Sequence, residues 1–134
     1  MMKENWSVWR TTNIPKGKYE LISLEQNWNE VKLIFDDEKT KIEVIYKEEI
    51  LAFRSCDESD RWKTIDTILA EKGGDFFKNK LLFKVENSEF KQWYIQENFN
   101  IRNETEFEHH VFVALNDIID VLALHEPIIQ ITLI

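Results

Sequence analysis

Three histidines, one cysteine and 25 carboxylates are the groups in this 134-residue chain with which chemistry could be done. His109 and His110 are adjacent, and Glu106, Glu108, Asp120 and His125 lie within a few residues of them. Such a set has the right atoms for a divalent metal, but the spacing argues otherwise. Successive side chains of a strand point to opposite faces, so the two histidines cannot both ligate one ion without a bulge. Glu106, Glu108 and His110 share a face under the same period, with His125 or Asp120 to be brought in by folding, yet no metal motif spaces them. Hydrogen-bonded sheet residues are the expected role, and no metal is expected.

Cys56-Asp57-Glu58 sets a thiol beside two acids. A cysteine nucleophile needs a base within hydrogen-bond reach, which nothing in the spacing supplies, so packing is the expected use of Cys56. Paired-carboxylate chemistry requires a defined separation and pKa values driven apart, neither of which follows from abundance alone. Gly73-Gly74 reads as a turn, because a phosphate cradle needs a longer glycine-rich loop before a helix. Trp6, Trp9, Trp28, Trp62 and Trp93 lack the basic interleaving of a single-strand nucleic-acid groove and are expected mainly as core anchors. No catalytic residue is assigned, and neither a cofactor nor a nucleic acid is expected.

A protein surface has a better physical basis. Acidic side chains steer a basic partner, and aromatic residues supply the desolvated centre of a contact. Asp57, Glu58, Asp60 and Arg61 form one polar cluster beside Trp62, and Glu104, Glu106, Glu108, Asp117 and Asp120 form a second candidate group, of which only some can share a face. The alternative use of such charges is a solvated rim or strand edge that prevents unwanted pairing.

The elements that must position these groups follow from apolar periodicity. Tyr19 to Leu24, then Val31, Leu33 and Phe35, then Ile42, Val44 and Tyr46 read as strands, with Asp36 to Thr40 turning a hairpin. A further strand carries Leu51, Phe53 and Ser55 on one face after Lys47-Glu48-Glu49. Ser59 or Asp60 caps a predicted helix with Trp62, Ile65, Ile68 and Leu69 inward, ending near Gly73-Gly74. Leu81 to Val85 is a strand, and Asn87 or Ser88 caps a second helix with Phe90, Trp93 and Tyr94 on one side. Phe107, His109, Val111 and Val113 share a strand face, Asn116-Asp117 turns the chain, and Ile119, Val121 and Ala123 continue the pattern. After Pro127, Ile129, Ile131 and Leu133 alternate with Gln130 and Thr132, leaving Ile128 and Ile134 to cover an edge or contact a helix. Short connections favour antiparallel pairing. The expected fold is α+β, with an antiparallel, curved or barrel-like sheet covered by two helices; closure is not decided by the pattern.

Composition sets the frame. The length fits a single domain over residues 1–134, and 43% hydrophobic residues with five Trp and nine Phe support a packed core. With one cysteine no internal disulfide is available, which fits a reducing compartment. Met1 to Arg10 is polar, and no segment approaches the roughly 18 apolar residues of a membrane helix. A cytoplasmic protein without a membrane role is expected. The formal charge of −8 disfavours nonspecific DNA binding. Its placement is uneven: all 17 basic residues lie before residue 103, whereas residues 103–134 hold six acids within an apolar segment.

Phe53-Arg54-Ser55-Cys56-Asp57-Glu58-Ser59-Asp60-Arg61, then Leu82-Phe83-Lys84-Val85-Glu86-Asn87-Ser88-Glu89-Phe90, then His109-His110-Val111-Phe112 to Asp117-Ile118-Ile119-Asp120-Val121 resemble small bacterial families of uncharacterised or toxin-immunity-like proteins. The resemblance spans most of residues 50–130 and departs from the expected His-Tyr-like pair at His109-His110. It implies a small cytoplasmic protein that binds and blocks a polymorphic toxin, and the acidic charge makes a basic nuclease an electrostatically suitable target. Two other classes compete: a small pocketed enzyme or ligand-binding domain, marked by convergent polar groups with perturbed pKa values, and a homo-oligomeric module, marked by a sheet edge or aromatic patch continued across a symmetry axis.

Overall fold

A computed structural model describes residues 3–9, 14–47 and 50–134; of the Lys47-Glu48-Glu49 segment, Glu48 and Glu49 lie outside the described residues. Among these residues the chain forms β1 (Asn5–Val8), β2 (Glu20–Asn27), β3 (Glu30–Asp36), β4 (Thr40–Tyr46), β5 (Ile50–Asp57), α1 (Trp62–Lys72), β6 (Leu82–Glu86), α2 (Glu89–Glu97), β7 (Glu108–Val113), β8 (Asp117–Ala123) and β9 (Ile128–Leu133). Two 3-10 turns, Glu58–Arg61 and Glu104–Glu106, precede α1 and β7.

The α+β class with antiparallel strands and two covering helices is what the periodicity implies. The strands are divided between two sheets, however, and neither closes into a barrel. One has the order β1-β6-β7-β8-β5 and the other β2-β3-β4-β9, every pairing being antiparallel. The division arises because β5 leaves the β2-β3-β4 meander to pair with β8, while β9 returns to pair with β4.

The four-stranded sheet buries one face, so β3 alternates strictly: Val31, Leu33 and Phe35 are buried, and Lys32, Ile34 and Asp36 are half-buried on the outside. Its inner face meets the five-stranded sheet, where Phe35 and Phe112 stack at 5.6 Å and Leu33, Ile42 and Val44 share a core with Ile119, Val121 and Ala123. Burying each of the Phe, Leu, Ile and Val side chains among these contributes about 1.5–3 kcal/mol. In the five-stranded sheet the central strands β7 and β8 are buried on both faces. Its outer side packs Trp6, Phe83, Val85, Val111 and Ile118 against Ile65 and Ile68 of α1, and Leu122 against Phe90 and Phe107 near α2. Double burial explains why β7 and β8 read as nearly unbroken apolar runs.

Caps and anchors differ in part from the sequence reading. Ser88 caps α2 through its Oγ, which accepts from the Lys91 N–H at 3.0 Å, and Gly73, with φ of 101°, ends α1 by donating to the Leu69 carbonyl at 2.9 Å. Asp57, rather than Ser59 or Asp60, caps the turn before α1. Trp62, expected inward, is 65% exposed. The first turn of α1 is tied down by the adjacent Arg61 ion pair and does not require Trp62 in the core. Core anchoring holds for Trp6, which is buried, but Trp28 and Trp93 are exposed. β1, whose single fully buried residue is Trp6, escapes periodicity because only four residues pair.

Candidate functional site

Asp120 on β8 has no solvent exposure and sits beneath the turn that leads into α1. An isolated buried carboxylate would be strongly disfavoured, so its surroundings must supply charge and donors. Arg61 Nη1 donates to Oδ2 at 2.6 Å, Arg54 Nε donates to the same oxygen at 3.0 Å, and His109 Nε2 donates to Oδ1 at 2.7 Å. Burial alone would raise the Asp120 pKa. The His109 hydrogen bond and charge, followed by those of Arg54, outweigh it and hold the carboxyl well below the usual carboxylate range. The Arg54 guanidinium also lies 4.3 Å over the Phe90 ring, which meets His109 edge-on. His109 Nδ1 is 2.7 Å from Ser88 Oγ.

Ser88, His109 and Asp120 therefore form a continuous hydrogen-bonded row of the residue types found in hydrolytic triads. The row performs a different task here. Ser88 has no exposure, its Oγ accepts the α2 cap bond, and His109 is 2% exposed, whereas a catalytic serine must present its hydroxyl to substrate. The network joins β5, β7, β8, the start of α1 and the start of α2. Spacing alone does not assemble it; an Asp within the apolar run of residues 118–123 is the one sequence signal that a buried charge would need cations.

The adjacent His110 builds a second network on the opposite face, as the strand period requires. With Nε2–H donating to Glu108 Oε1 at 3.1 Å, Nδ1 accepts from Tyr46 Oη at 2.8 Å, so the imidazole bridges the two sheets. Burial pushes its pKa down against the opposing pull of Glu108, favouring this neutral tautomer. Lys84 Nζ donates to Glu108 Oε2 at 3.1 Å and lies 4.4 Å over Trp9, whose ring is 4.4 Å from that of His110. The His110 hydrogen bond, aided by Lys84 and opposed by desolvation, lowers Glu108 from 4.5 to about 2.

These commitments dispose of several sequence candidates. Each of the imidazoles of His109 and His110 has both ring nitrogens engaged, so neither serves as base to Cys56, which is half-buried on β5. Glu108 and His110 meet as expected, but Glu106 is drawn into a capping box with Asn103, and Asp120 turns to the other face. Among the described residues no group of three or more His, Cys, Asp or Glu is placed to hold a metal ion, and no helix is long and apolar enough to cross a membrane.

Above Asp120 the surface is acidic. Asp57, Glu58 and Asp60 are all exposed beside Trp62. Asp57 accepts from the Ser59 N–H at 2.9 Å and from the Ser59 hydroxyl at 2.7 Å, bonds that lower its pKa. The Glu58 N–H donates to the Asn116 carbonyl at 2.9 Å, and Asp57 is the register partner of Asp117. One member of the second acidic group thus joins the first. Glu104 lies elsewhere, near α2, where its carboxylate accepts from Gln92, and Glu106 lies 3.8 Å from Arg102. Asp120 and Arg61 belong to the foundation of the acidic turn rather than its exposed face, because the Asp120 side chain is fully buried and that of Arg61 is 11% exposed. No protein-family model, curated protein or solved structure matches the chain.

Proposed function

We propose that the chain is a stoichiometric protein-binding module of the immunity type, in which the acidic turn at Asp57–Trp62 receives a basic protein and occludes its working surface. The observation that carries this reading is Trp62, 65% exposed in the first turn of α1, beside three exposed carboxylates on a base fixed by Arg54, Arg61 and Asp120. A large aromatic on a rigid base loses little conformational freedom on binding, and surrounding acids accelerate encounter with a cationic partner. Asp57, Glu58, Asp60, Asp117 and Asp120 outnumber Arg54, Arg61 and the exposed Lys63 by two charges. A basic nuclease toxin is the partner class whose charge suits this surface best.

The test is affinity capture from the native cells, mass identification, and calorimetry with the purified partner. A saturable 1:1 complex is expected. Trp62→Ala should weaken it by about 2 kcal/mol or more, a factor of about 30, as for a central aromatic anchor. Asp57→Ala with Glu58→Ala should slow association chiefly at low salt, where screening is weak. A confirmed complex indifferent to both changes would place the contact elsewhere, and purified nuclease that forms no complex would remove the toxin-blocking version.

A further inference from the structure

The outer strand β9 ends the four-stranded sheet, and its sequence differs in kind from those of the other outer strands. β2 carries Glu20, Glu25 and an irregularity between Leu21 and Ser23; β5 carries Arg54 and Asp57 and a register shift between Ile50 and Ala52; β1 has only four residues. These are the usual devices that keep a sheet edge from recruiting another strand. Residues 128–134 contain no charge and no proline, and Ile128, Ile131, Leu133 and Ile134 are 44%, 39%, 81% and 72% exposed.

The phase of the ladder fixes what that edge offers. The Ile134 N–H donates to the Lys39 carbonyl at 2.9 Å, continuing the pairing of β9 with β4. Residues of even number therefore turn their backbone groups to β4, and Ile129, Ile131 and Leu133 direct theirs to the open side. We infer that this edge pairs with β9 of a second copy of the chain, antiparallel about a two-fold axis at Ile131.

The polarity of the strand is symmetric about that residue. In this register Gln130 faces Thr132 of the second copy, Ile129 faces Leu133, Ile128 faces Ile134, and Ile131 faces itself. Apolar side chains meet apolar ones and the two polar side chains meet each other, on the correct faces. A two-residue slip in either direction sets Ile128 or Ile134 against Thr132 or Gln130 and loses this match. About six backbone hydrogen bonds would close the joint, two from each of the three outward residues. A two-fold contact of this kind is self-limiting, because each copy has one β9 and the union consumes both. The inference does not depend on the acidic turn, which stands on the other sheet.

The test uses the whole chain in sedimentation equilibrium from micromolar to millimolar concentration. The unaltered protein should show a monomer–dimer equilibrium. Gln130→Lys combined with Thr132→Lys opposes like charges across the axis, as does Gln130→Glu combined with Thr132→Glu; each protein alone should dimerise at least about tenfold more weakly. Mixing the two should restore dimer, now as the heterodimer, an outcome that also shows both are folded. Ile131→Pro removes an N–H that faces the open side, so the β4 ladder survives while the central pair across the axis is lost, and the protein should be monomeric. The inference is overturned if the unaltered chain stays monomeric throughout, if any of the three variants dimerises as well as the unaltered chain, or if mixing the charged variants restores nothing. A dimer retained in all variants would put the contact on another face.

Discussion

Asp120→Asn isolates the charge at the centre of the molecule, because Asn preserves size and one carbonyl acceptor. Its largest consequence falls on Arg61, whose side chain is 11% exposed and loses a carboxylate 2.6 Å away. Removing one partner of a buried pair costs about 3–5 kcal/mol, mostly through the charge left uncompensated. Arg54 is 42% exposed and regains water, which limits its share to less than about 1 kcal/mol. His109 retains an oxygen acceptor, so its loss is about 1 kcal/mol. A total near 4 kcal/mol at pH 7 follows, taking the lower part of the buried-pair range. Urea unfolding followed by tryptophan fluorescence and circular dichroism should show the midpoint falling by roughly 2 M at unchanged slope. The pH dependence supplies an independent check. The folded carboxyl titrates below its unfolded value, so its contribution is complete above the ordinary Asp range near 4 and is lost as pH falls through the folded value. The gap between the two proteins should shrink as the pH falls below the ordinary Asp range near 4. A midpoint within about 0.3 M of the parent at pH 7, or a gap that widens in acid, would refute the argument. Arg61→Met in the Asp120→Asn background should cost much less than it does alone, giving a coupling energy of about 2 kcal/mol.

Ser88→Ala removes the α2 cap and the partner of His109 Nδ1 together; a loss of about 1–2 kcal/mol is expected in the same urea assay, and an unchanged midpoint would show that the cap is dispensable. Glu108→Gln should cost only about 1 kcal/mol at pH 7, since the side chain is 47% exposed and solvent screens its ion pair. With the folded pKa lowered from 4.5 to about 2, the Glu108 contribution is complete above the upper value and fades toward the lower one, so thermal melts at pH 7 and pH 3 should show the gap narrowing in acid.

The sequence makes the half-buried strands legible because one face and one period suffice to define them. Val31, Leu33 and Phe35 alternate in the chain as they do in β3. The division into two sheets is not legible in the same way. His110, Phe112, Ile119 and Val121 face the other sheet, whereas Val111, Ile118 and Leu122 face the helix layer, and a strand apolar on both faces carries no mark of which neighbour lies on which side. The opposed directions of His109 and His110 follow from strand geometry alone. Their partners do not: Ser88 precedes His109 by 21 residues, and Tyr46 precedes His110 by 64. Trp62 shows the limit of apolar spacing, which assigns a side to a helix residue but cannot tell that an ion pair, rather than an aromatic ring, anchors the first turn.

Charge placement links the interior to the exposed turn. Read along the chain, Arg54 and Arg61 bracket Asp57, Glu58 and Asp60 and nearly neutralise them. In three dimensions both guanidinium groups turn to Asp120, a residue about 60 positions later, and their strongest hydrogen bonds are spent on a carboxylate that never meets solvent. The three exposed acids are thereby left without the cations that flank them in sequence, and Asp117 is added to them by the register of β5 with β8. Among the described ion pairs, three of the six acids of the last 32 residues, Glu106, Glu108 and Asp120, meet basic residues from earlier in the chain, so part of the late acidic excess serves cohesion rather than the surface. The burial of one aspartate thus both fastens the turn and sharpens its negative potential. A surface built this way depends on Asp120 without exposing it, so Asp120→Asn should weaken binding of a cationic partner mainly by loosening the turn, and Asp57→Ala with Glu58→Ala mainly by removing its field.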